Sequence, residues 1–426
     1  MEVQDIDPPI LRGRPQTIFL GLGQGEELKV REIAFRPVVT QEMKEAVVRA
    51  LESGRYIRTD PDSDSEGKRF ESELAAFFRA PDGRVPKIAN LSSGTAAMHL
   101  AWLVYGVGAG DEVIIPANTF SSVADCVWLV GADPVAVDVE EDTSNLDPDA
   151  LEAAITPRTR AVMPVHTAGH PADMDRIMAI AERHDLLVIE DACQAVGARH
   201  LERAVGTIGA MGCYSFVQNK AMTTGGEGGA VGSFDTERVQ RVFDLANHAR
   251  GEGFRRGGRA GDAYRSVEHD GIGYLYRQSE LLTAVGRVQL RLLPGWIEER
   301  RRWAEQYHER LADLDIEIGL PAERDYAYHA YVRFQIRAPR RDDLKRFLRE
   351  RGIQTKVHYP TPIHLDRLYR ERYGAREGQS PVTERLAQHT LSLPLYPQMS
   401  EDDVDYVVAA IREFYAKIPT PVSASV

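Results

Sequence analysis

Short apolar runs alternate with amphipathic stretches through the middle of the chain. The runs EVIIPA, PVAVDV, RAVMPV and LLVIED are rich in β-branched residues, and segments such as DMDRIMAIAERHD, with apolar residues at helical spacing, separate them. This alternation favours an α/β fold, in which helices cover a mostly parallel sheet. Because ligands bind beyond the carboxyl ends of such strands, we expect chemistry in the loops that follow these runs.

The two ends of the chain have different patterns. Residues 1–35 are rich in Pro, Gly and charged residues, which predicts an N-terminal arm lying on the body. The next stretch, TQEMKEAVVRALESG, predicts a helix capped by Thr40. After Pro294 the alternation gives way to a long charged helix, the run YVRFQI and two further helices. We therefore expect a large domain over residues 36–293 and a small C-terminal α+β domain over residues 294–426.

Composition narrows the class of protein. A chain of 426 residues is too long for one ordinary core, and its 43% hydrophobic and 27% charged residues are typical of a globular enzyme. The formal charge of −12 argues against nucleic acid or an anionic membrane as a partner. Cys126, Cys193 and Cys213 show no CxxC spacing, so we expect no metal site and interpret them as small buried residues in a reducing compartment. The N-terminus does not resemble a signal peptide and no apolar run could span a bilayer, which predicts a cytoplasmic protein.

The segment NLSSGTAAMHLAW places small and hydroxyl residues just before a helical stretch. Backbone N–H groups of Ser93, Gly94 and Thr95 could approach a phosphate at the helix N-terminus, where the helix dipole favours an anion. An ordinary Ser/Thr helix cap explains this segment equally well. Taken alone, the segment does not decide between the two.

The run LLVIEDACQA predicts a buried strand that ends in Glu190 and Asp191. An acid at a strand end can hydrogen-bond a protonated pyridine nitrogen and keep the ring able to accept electrons. A helix cap or a metal ligand is the alternative role for such an acid. Gln194 could reach the substituents of the same ring or could act as a capping residue.

The segment GCYSFVQNKAMTTGGEGGAV places Lys220 between a β-like run and several glycines. A lysine forms a Schiff base only if it is deprotonated and held near a carbonyl, and an enclosed Gly-rich loop supplies that setting. A surface lysine before a turn is the alternative. The order along the chain, a phosphate-type loop, a strand-end acid and then this lysine, indicates a site for pyridoxal phosphate (PLP).

The chain strongly resembles the DegT/DnrJ/EryC1/StrS family, the sugar aminotransferases of fold type I PLP enzymes. The resemblance runs from about Arg36 to Lys417. It rests on SSGTAAMHLAW, GDEVIIPANTF, GADPVAVDV, VIEDACQAVGA, SFVQNKAMTTGGEGG, GYLYRQSEL, HYPTPIHL and LSLPLYP in family order. It implies the fold type I architecture, with a mostly parallel central sheet between helices and a smaller C-terminal domain.

The resemblance also implies the cofactor and its contacts. Lys220 would be the Schiff-base lysine and the group that moves the proton, and Asp191 would pair with the pyridine nitrogen. Gln194 would contact the side of the ring that carries the phenolic oxygen. Other cofactor contacts would come from the phosphate-binding residues, an aromatic residue over the ring and a residue that reaches the phosphate of the neighbouring subunit, namely Ser93, Gly94, Thr95 and Ser215, then Phe120, then Arg277. The last contact implies a homodimer with shared active sites. Core packing is a further role open to Phe120.

Three histidines are candidates for substrate contact by their motif positions: His166 in MPVH, His329 in YHAYV and His358 in KVHYP. A structural role is equally open for His166. The loop over residues 251–270 is longer than is usual in the family. Its arginines, Arg255, Arg256 and Arg259, could meet a phosphorylated or nucleotide-linked substrate, or the loop could be a solvated surface segment.

The implied reaction is a ping-pong transamination from an amino acid, L-glutamate or L-glutamine, to a keto-sugar in amino-sugar or antibiotic biosynthesis. A free cyclitol ketone of the scyllo-inosose type is an alternative acceptor. A PLP-dependent sugar dehydratase is less favoured, because such enzymes replace the lysine with histidine. A non-catalytic regulator is less favoured because no DNA-binding segment flanks the family region.

Overall fold

The computed structural model describes residues 31–58, 64–249, 271–314 and 318–417. Most of the predicted N-terminal arm and the arginines of the loop over residues 251–270 lie outside the described residues. Among those described, no helix is both long enough and apolar enough to cross a membrane.

The strands of the described residues include those expected from the apolar runs. In chain order they are β1 (Lys87–Leu91), β2 (Glu112–Pro116), β3 (Asp133–Val137), β4 (Thr159–Val162), β5 (Leu187–Asp191), β6 (Arg199–His200), β7 (Arg203–Ala204), β8 (Met211–Ser215), β9 (Gly229–Ser233), β10 (Ala327–Tyr328), β11 (Phe334–Arg337) and β12 (Thr390–Leu393).

Seven of these strands form the central sheet, in the order β1-β9-β8-β5-β4-β2-β3. The pairs from β8 to β3 are parallel, and β9 runs antiparallel to both of its neighbours. The predicted α/β class with a mostly parallel sheet is therefore confirmed. Strands β11 and β12 form a separate two-stranded antiparallel sheet.

Helices cover the central sheet and surround the small one. They are α1 (Gln41–Glu52), α2 (Glu66–Phe77), α3 (Gly94–Val104), α4 (Ser122–Leu129), α5 (Pro148–Ala153), α6 (Met174–Arg183), α7 (Thr236–Ala246), α8 (Glu280–Leu311), α9 (Arg341–Glu350), α10 (Arg367–Tyr373), α11 (Pro381–His389) and α12 (Glu401–Ala416). The predicted cap of α1 is confirmed, since the Thr40 side chain accepts a hydrogen bond from the Met43 N–H group.

The C-terminal part has a hydrophobic core of its own. It is formed by the end of α8, both strands of the small sheet, α9 and α12, with Phe334, Leu391 and Ile411 fully buried. Ile33, near the end of the predicted arm, is buried in this core and pairs with Ile353. A domain has a core of its own, and the division into a large and a small domain stays a prediction.

The start of the predicted long helix needs a correction, whereas the domain boundary stays a prediction. The prediction that this helix begins only after Pro294 is wrong. Helix α8 runs through this proline without a break, from Glu280 to Leu311. A proline inside a helix removes one hydrogen bond, but buried side chains on both sides, such as Leu293 and Ile297, hold the helix in place. The predicted boundary between residues 293 and 294 therefore falls inside one long helix.

Candidate functional site

The start of α3 leaves backbone N–H groups free at the edge of the central sheet. The Ser93 side chain caps the helix by accepting from the Ala96 N–H group at 3.0 Å. The N–H groups of Gly94 and Thr95, which occupy the first helical turn, have no partner within the helix. The cap and the anion site are therefore compatible: the Ser93 hydroxyl forms the cap, and the two following amides can bind a phosphate.

Gly94 fits tightly between two other elements. A Cβ atom at this position would lie 2.8 Å from Cys193 Sγ and 2.9 Å from Ser215 Cβ, closer than such atoms approach. Ser215 is the last residue of β8, so the sheet brings it next to the helix start, although 121 residues separate the two positions. The structure thus joins the expected phosphate-binding residues, and glycine is required at the contact.

Asp191 ends β5 at the same edge of the sheet and is 3% exposed. Its Oδ1 accepts a hydrogen bond from the Cys193 N–H group at 2.9 Å. Its backbone N–H and carbonyl groups bond to Pro164 and His166, in the segment that follows β4. The carboxylate is therefore held in one orientation by its own backbone and by the turn that follows it.

Lys220 follows β8 in a short turn, where its N–H group donates to the Val217 carbonyl at 3.0 Å. Part of the residue remains accessible, but burial lowers its pKa to about 8, and the positive charge of Arg333 adds to this effect. Electrostatic interactions with Cys193 and Asp191 act in the opposite direction. A substantial fraction of this amine is therefore neutral near physiological pH, as a nucleophilic lysine requires.

Gln194 is buried close to the same acid and contacts the small domain. Its Oε1 accepts from the Ala168 N–H group at 3.3 Å and from Arg333 Nη1 at 2.5 Å. Because both donors contact the oxygen, the amide nitrogen is on the other side and remains available as a donor. The predicted contact with a ring oxygen needs such a donor.

His166 lies behind the site and is fully buried. Its Nδ1 accepts from the Ala172 N–H group at 3.0 Å, so its Nε2 carries the proton and donates to Glu190 Oε2 at 3.0 Å. Both ring nitrogens are thus engaged within the protein. This arrangement favours the structural alternative for His166 over substrate contact.

Glu190 anchors the turn beneath the sheet and also accepts from the Gly206, Ile208 and Gly209 N–H groups, each at 2.7 Å. Burial alone would raise the pKa of this carboxyl, but the hydrogen bond to His166, the electrostatic interaction with that ring and the backbone donors hold the pKa below its usual value. Of the two strand-end acids, one therefore supports the fold and the other, Asp191, faces the site.

The two histidines of the small domain differ in their surroundings. His329 is 2% exposed, stacks on Tyr331 with ring centroids 3.8 Å apart, and has its pKa lowered by burial and by His170. His358 bonds through Nδ1 to Ser392 Oγ at 2.8 Å. Burial lowers its pKa to about 2, with further lowering by the charges of Arg333, Lys356 and Lys220. His358 is therefore a neutral imidazole within reach of the charge of Lys220.

The family of this protein can be assigned from a match over most of its sequence. The model of the DegT/DnrJ/EryC1/StrS aminotransferase family matches residues 37–412. The chain belongs to this family. The predicted membership and the predicted enzyme class, an aminotransferase, are therefore confirmed.

Individual relatives cover almost the same region. The pleiotropic regulatory protein of Geobacillus stearothermophilus is 38% identical over 88% of this chain and 96% of its own length. The dTDP-3-amino-3,4,6-trideoxy-alpha-D-glucose transaminase of Streptomyces venezuelae is 37% identical over 88% of this chain and 92% of its own length. The crystal structure of S. venezuelae DesV in complex with a ketimine intermediate has a TM-score of 0.79 and 36% identity, covering 89% of this chain and 95% of that one.

Two further residues of this DegT/DnrJ/EryC1/StrS family member, Phe120 and Arg277, were predicted to contact the cofactor. Phe120 is 57% exposed, which argues against core packing, and its ring centroid is 6.2 Å from that of Tyr359 in the small domain. Arg277 is half-buried; its backbone pairs with Leu91 at the end of β1, and its Nη1 donates to Asn247 Oδ1 at 3.4 Å. The role of Arg277 toward a second subunit stays a prediction.

Sequence reasoning missed Arg333. It lies in the run YVRFQI of the predicted small domain, a run to which no chemistry was assigned. The signal was present, since an arginine between Val332 and Phe334, both buried, is unusual in an apolar run. Only the tertiary structure shows that this side chain contacts Gln194 and acts on the pKa of Lys220.

Proposed function

We propose that this chain is a PLP-dependent aminotransferase that moves the amino group of L-glutamate or L-glutamine to the ketone of a keto-sugar. The observation that carries the proposal is the lowered pKa of Lys220, an enclosed lysine close to the strand-end acid Asp191. The acceptor class is supported by the similarity to the S. venezuelae dTDP-3-amino-3,4,6-trideoxy-alpha-D-glucose transaminase, whose sugar is nucleotide-linked.

The residues at the sheet edge fit the cofactor. The free amides of Gly94 and Thr95 and the nearby Ser215 would hold its phosphate, and Asp191 would pair with the ring nitrogen. The Gln194 amide would donate to the ring oxygen. When bound, PLP supplies an aldehyde for the amine and a ring that withdraws electrons from the bonds at the donor's Cα atom.

The chain's own contribution is to hold groups and to move protons. The neutral amine of Lys220 would hold the cofactor through its aldehyde carbon, with loss of water, and as a free amine it would accept the proton from the donor's Cα atom. The buried carboxylate of Asp191 would pair with the cofactor's ring nitrogen and stabilise its protonated, positively charged form. The neutral imidazole of His358 can exchange hydrogen bonds with a sugar hydroxyl without adding charge.

We also propose that the protein works as a homodimer with shared active sites. The segment next to Arg277 exposes Ile272 and Leu275, which are 87% and 55% exposed, and Ile57 pairs with Ser279 nearby and is 56% exposed. Exposed apolar residues of this size, close together, mark protein interfaces. A second subunit on this face would cover them and would bring Arg277 to the interface.

The test is optical and covalent. The purified protein incubated with PLP should be yellow, and borohydride should fix the cofactor to one peptide that contains Lys220. The variant Lys220→Ala should lose this attachment and about 10⁴-fold in transamination rate, since it removes both the bond to the cofactor and the proton carrier. The matched control Lys345→Ala changes an exposed lysine of α9 and should behave as the wild type.

The acceptor can be found with the amine-loaded form. A panel of nucleotide-linked keto-sugars, free keto-sugars and cyclitol ketones would be added, and the return of the yellow colour followed. If the colour returns with a nucleotide-linked keto-sugar, the proposal is supported. If it returns only with a cyclitol ketone, the proposed acceptor is wrong and a cyclitol ketone takes its place. A protein that PLP cannot colour, or that responds only to 2-oxo acids, would refute the proposed function.

A further inference from the structure

Three buried polar side chains follow one another along α8 at intervals of 11 residues, at positions 278, 289 and 300. They are Gln278, just before the helix, and Gln289 and Arg300 within it, and each is at most 4% exposed. An interval of this length makes about three turns of an α-helix, so Gln289 and Arg300 lie on the same face. Buried polar groups need hydrogen-bond partners, which must come from the element that faces this row.

The element that faces the row is the loop that carries Lys220. Gln278 Nε2 donates to Thr224 Oγ1 at 2.7 Å. Gln289 Oε1 accepts from the Thr223 N–H group at 3.2 Å. Helix α8 thus bonds to the loop at two successive residues that follow the lysine.

Arg300 holds the residue next to the lysine. Its Nη2 donates to the Ala221 carbonyl at 3.2 Å, and Lys220 and Arg300 line the same small cleft. The arginine is 3% exposed, and among the described residues its Nε and Nη1 have no hydrogen-bond partner. Burial lowers the pKa of this guanidinium group to about 10, so the group still carries its charge near neutral pH.

The buried charge of Arg300 works against the stability of the fold. Removing an ionised group from water costs free energy, and a hydrogen bond to one carbonyl offsets only part of this cost. Replacing a buried charge by an apolar side chain of similar size is often neutral or stabilising. Packing alone therefore does not explain an arginine here, whereas the bond to Ala221 is a contact that an apolar residue could not make.

We propose that Gln289 and Arg300 are positioning residues that fix the backbone of the Lys220 loop during amine transfer. This inference rests on the proposed function, in which the lysine side chain both holds the cofactor and moves the proton at the donor's Cα atom. That side chain must move while its backbone stays in place, because a displacement of about 1 Å can cost about 10²-fold in rate. The bonds at Ala221 and Thr223 restrict such a displacement, since α8 is packed into two hydrophobic cores.

The experiment separates the rate of reaction from the binding of the cofactor. The PLP-loaded protein receives a saturating concentration of the better donor, L-glutamate or L-glutamine, and the rate of colour loss is divided by the amount of PLP that borohydride fixes. In Arg300→Met this rate per site should fall by about 10- to 30-fold. The affinity for PLP should stay within about threefold of that of the wild type, because Gly94 and Asp191 are unchanged.

Two further variants make the test specific to the hydrogen bonds. Arg300→Lys can still donate to the Ala221 carbonyl and should recover part of the rate per site. Gln289→Leu can no longer accept from the Thr223 N–H group and should lower the rate per site in the same way. These two variants also carry the test if Arg300→Met does not fold.

The matched control is Arg341→Met. Arg341 is also a buried arginine that donates to backbone carbonyls, those of Thr390 at 2.8 Å and Ala387 at 2.9 Å, but it lies at the start of α9. This variant should lower the melting temperature and keep the rate per site of the wild type. Equal falls of that rate in Arg341→Met and Arg300→Met would show a general effect of stability and would overturn the inference.

The outcomes separate this inference from the proposed function. If PLP is fixed to Lys220 and the wild type reacts with an amino donor, an unchanged rate per site in Arg300→Met and Gln289→Leu refutes the positioning role alone. A wild-type protein in which borohydride fixes no PLP to Lys220 refutes the proposed function itself.

Discussion

The two halves of the candidate site are built in different ways. In the large domain, Gly94, Asp191 and Ser215 follow or end three strands of one sheet, and each is held by backbone contacts. In the small domain, Arg333 precedes its strand and His358 lies in a loop. The sheet edge therefore preorganises the cofactor half, whereas the substrate half depends on how the domains meet at Ala168 and its neighbours.

This difference assigns separate tasks to the two halves. Parallel strands end at one edge, so a residue at each strand end is positioned to the accuracy of the sheet itself. The contact between the two domains places Arg333 of the small domain where its charge lowers the pKa of Lys220. Changes in the first half should affect cofactor chemistry with every donor, and changes in the second should depend on the substrate.

After Lys220→Ala, the largest effect is expected from Asp191→Asn. An amide cannot keep the ring nitrogen protonated, so the rate should fall by about 10³-fold with any amino donor. The matched control is Asp138→Asn, which changes another acid directly after a strand, where it accepts from the Thr383 N–H group at 2.8 Å, away from the site. It should lower stability but keep the cofactor spectrum. Equal losses of activity in both variants would contradict the proposed role of Asp191.

A smaller effect is expected from Gly94→Ala. The added methyl group would overlap Cys193 and Ser215, and such overpacking costs about 1–3 kcal/mol, so PLP affinity should fall by about 30-fold in an absorbance titration. Gly295→Ala is the control: no heavy atom lies within 4 Å of its Cβ position in α8, and the helix should gain up to about 1 kcal/mol. An unchanged PLP affinity in Gly94→Ala would show that the helix start is not the phosphate site.

The smallest effect links the two halves. Because the pKa of Lys220 is about 8, the rate of covalent PLP attachment should rise as pH increases through 8, where the neutral amine becomes the main form. Removing the charge of Arg333 removes an effect that lowers this pKa, so the midpoint should move to higher pH in Arg333→Gln. Arg346→Gln, which changes an exposed arginine of α9, should keep the wild-type midpoint. An unchanged midpoint in Arg333→Gln would mean that the charge of Arg333 does not affect the pKa of Lys220.

Much of the large-domain half could be predicted because its signals are local. An apolar run that ends in an acid, or a small-residue loop before a helix, can be recognised without knowing the partner elements, and the order of these motifs carried the family resemblance. The local pattern alone could not separate Glu190 from Asp191, since adjacent residues of a strand point to opposite sides; only the family resemblance named Asp191. The structure assigns one to a buried hydrogen-bond network and the other to the site.

The small-domain half was harder to predict, because its contacts join distant parts of the chain. Arg333 and Gln194 are 139 residues apart, and no periodicity relates them. The continuous helix through Pro294 was missed for a similar reason: proline disfavours a helix locally, and only packing against both domain cores outweighs that preference.

Local patterns along the chain were sufficient for the fold class, the order of the strands along the chain and the choice of Lys220 as the proposed Schiff-base lysine, because strand period, helix caps and motif order are properties of neighbouring residues. The assembly of the site required the folded chain. What holds Glu190 and Asp191 in their different surroundings, why residue 94 must be glycine and which charge acts on Lys220 are set by contacts between residues far apart in sequence, which arise only when the sheet closes and the two domains meet.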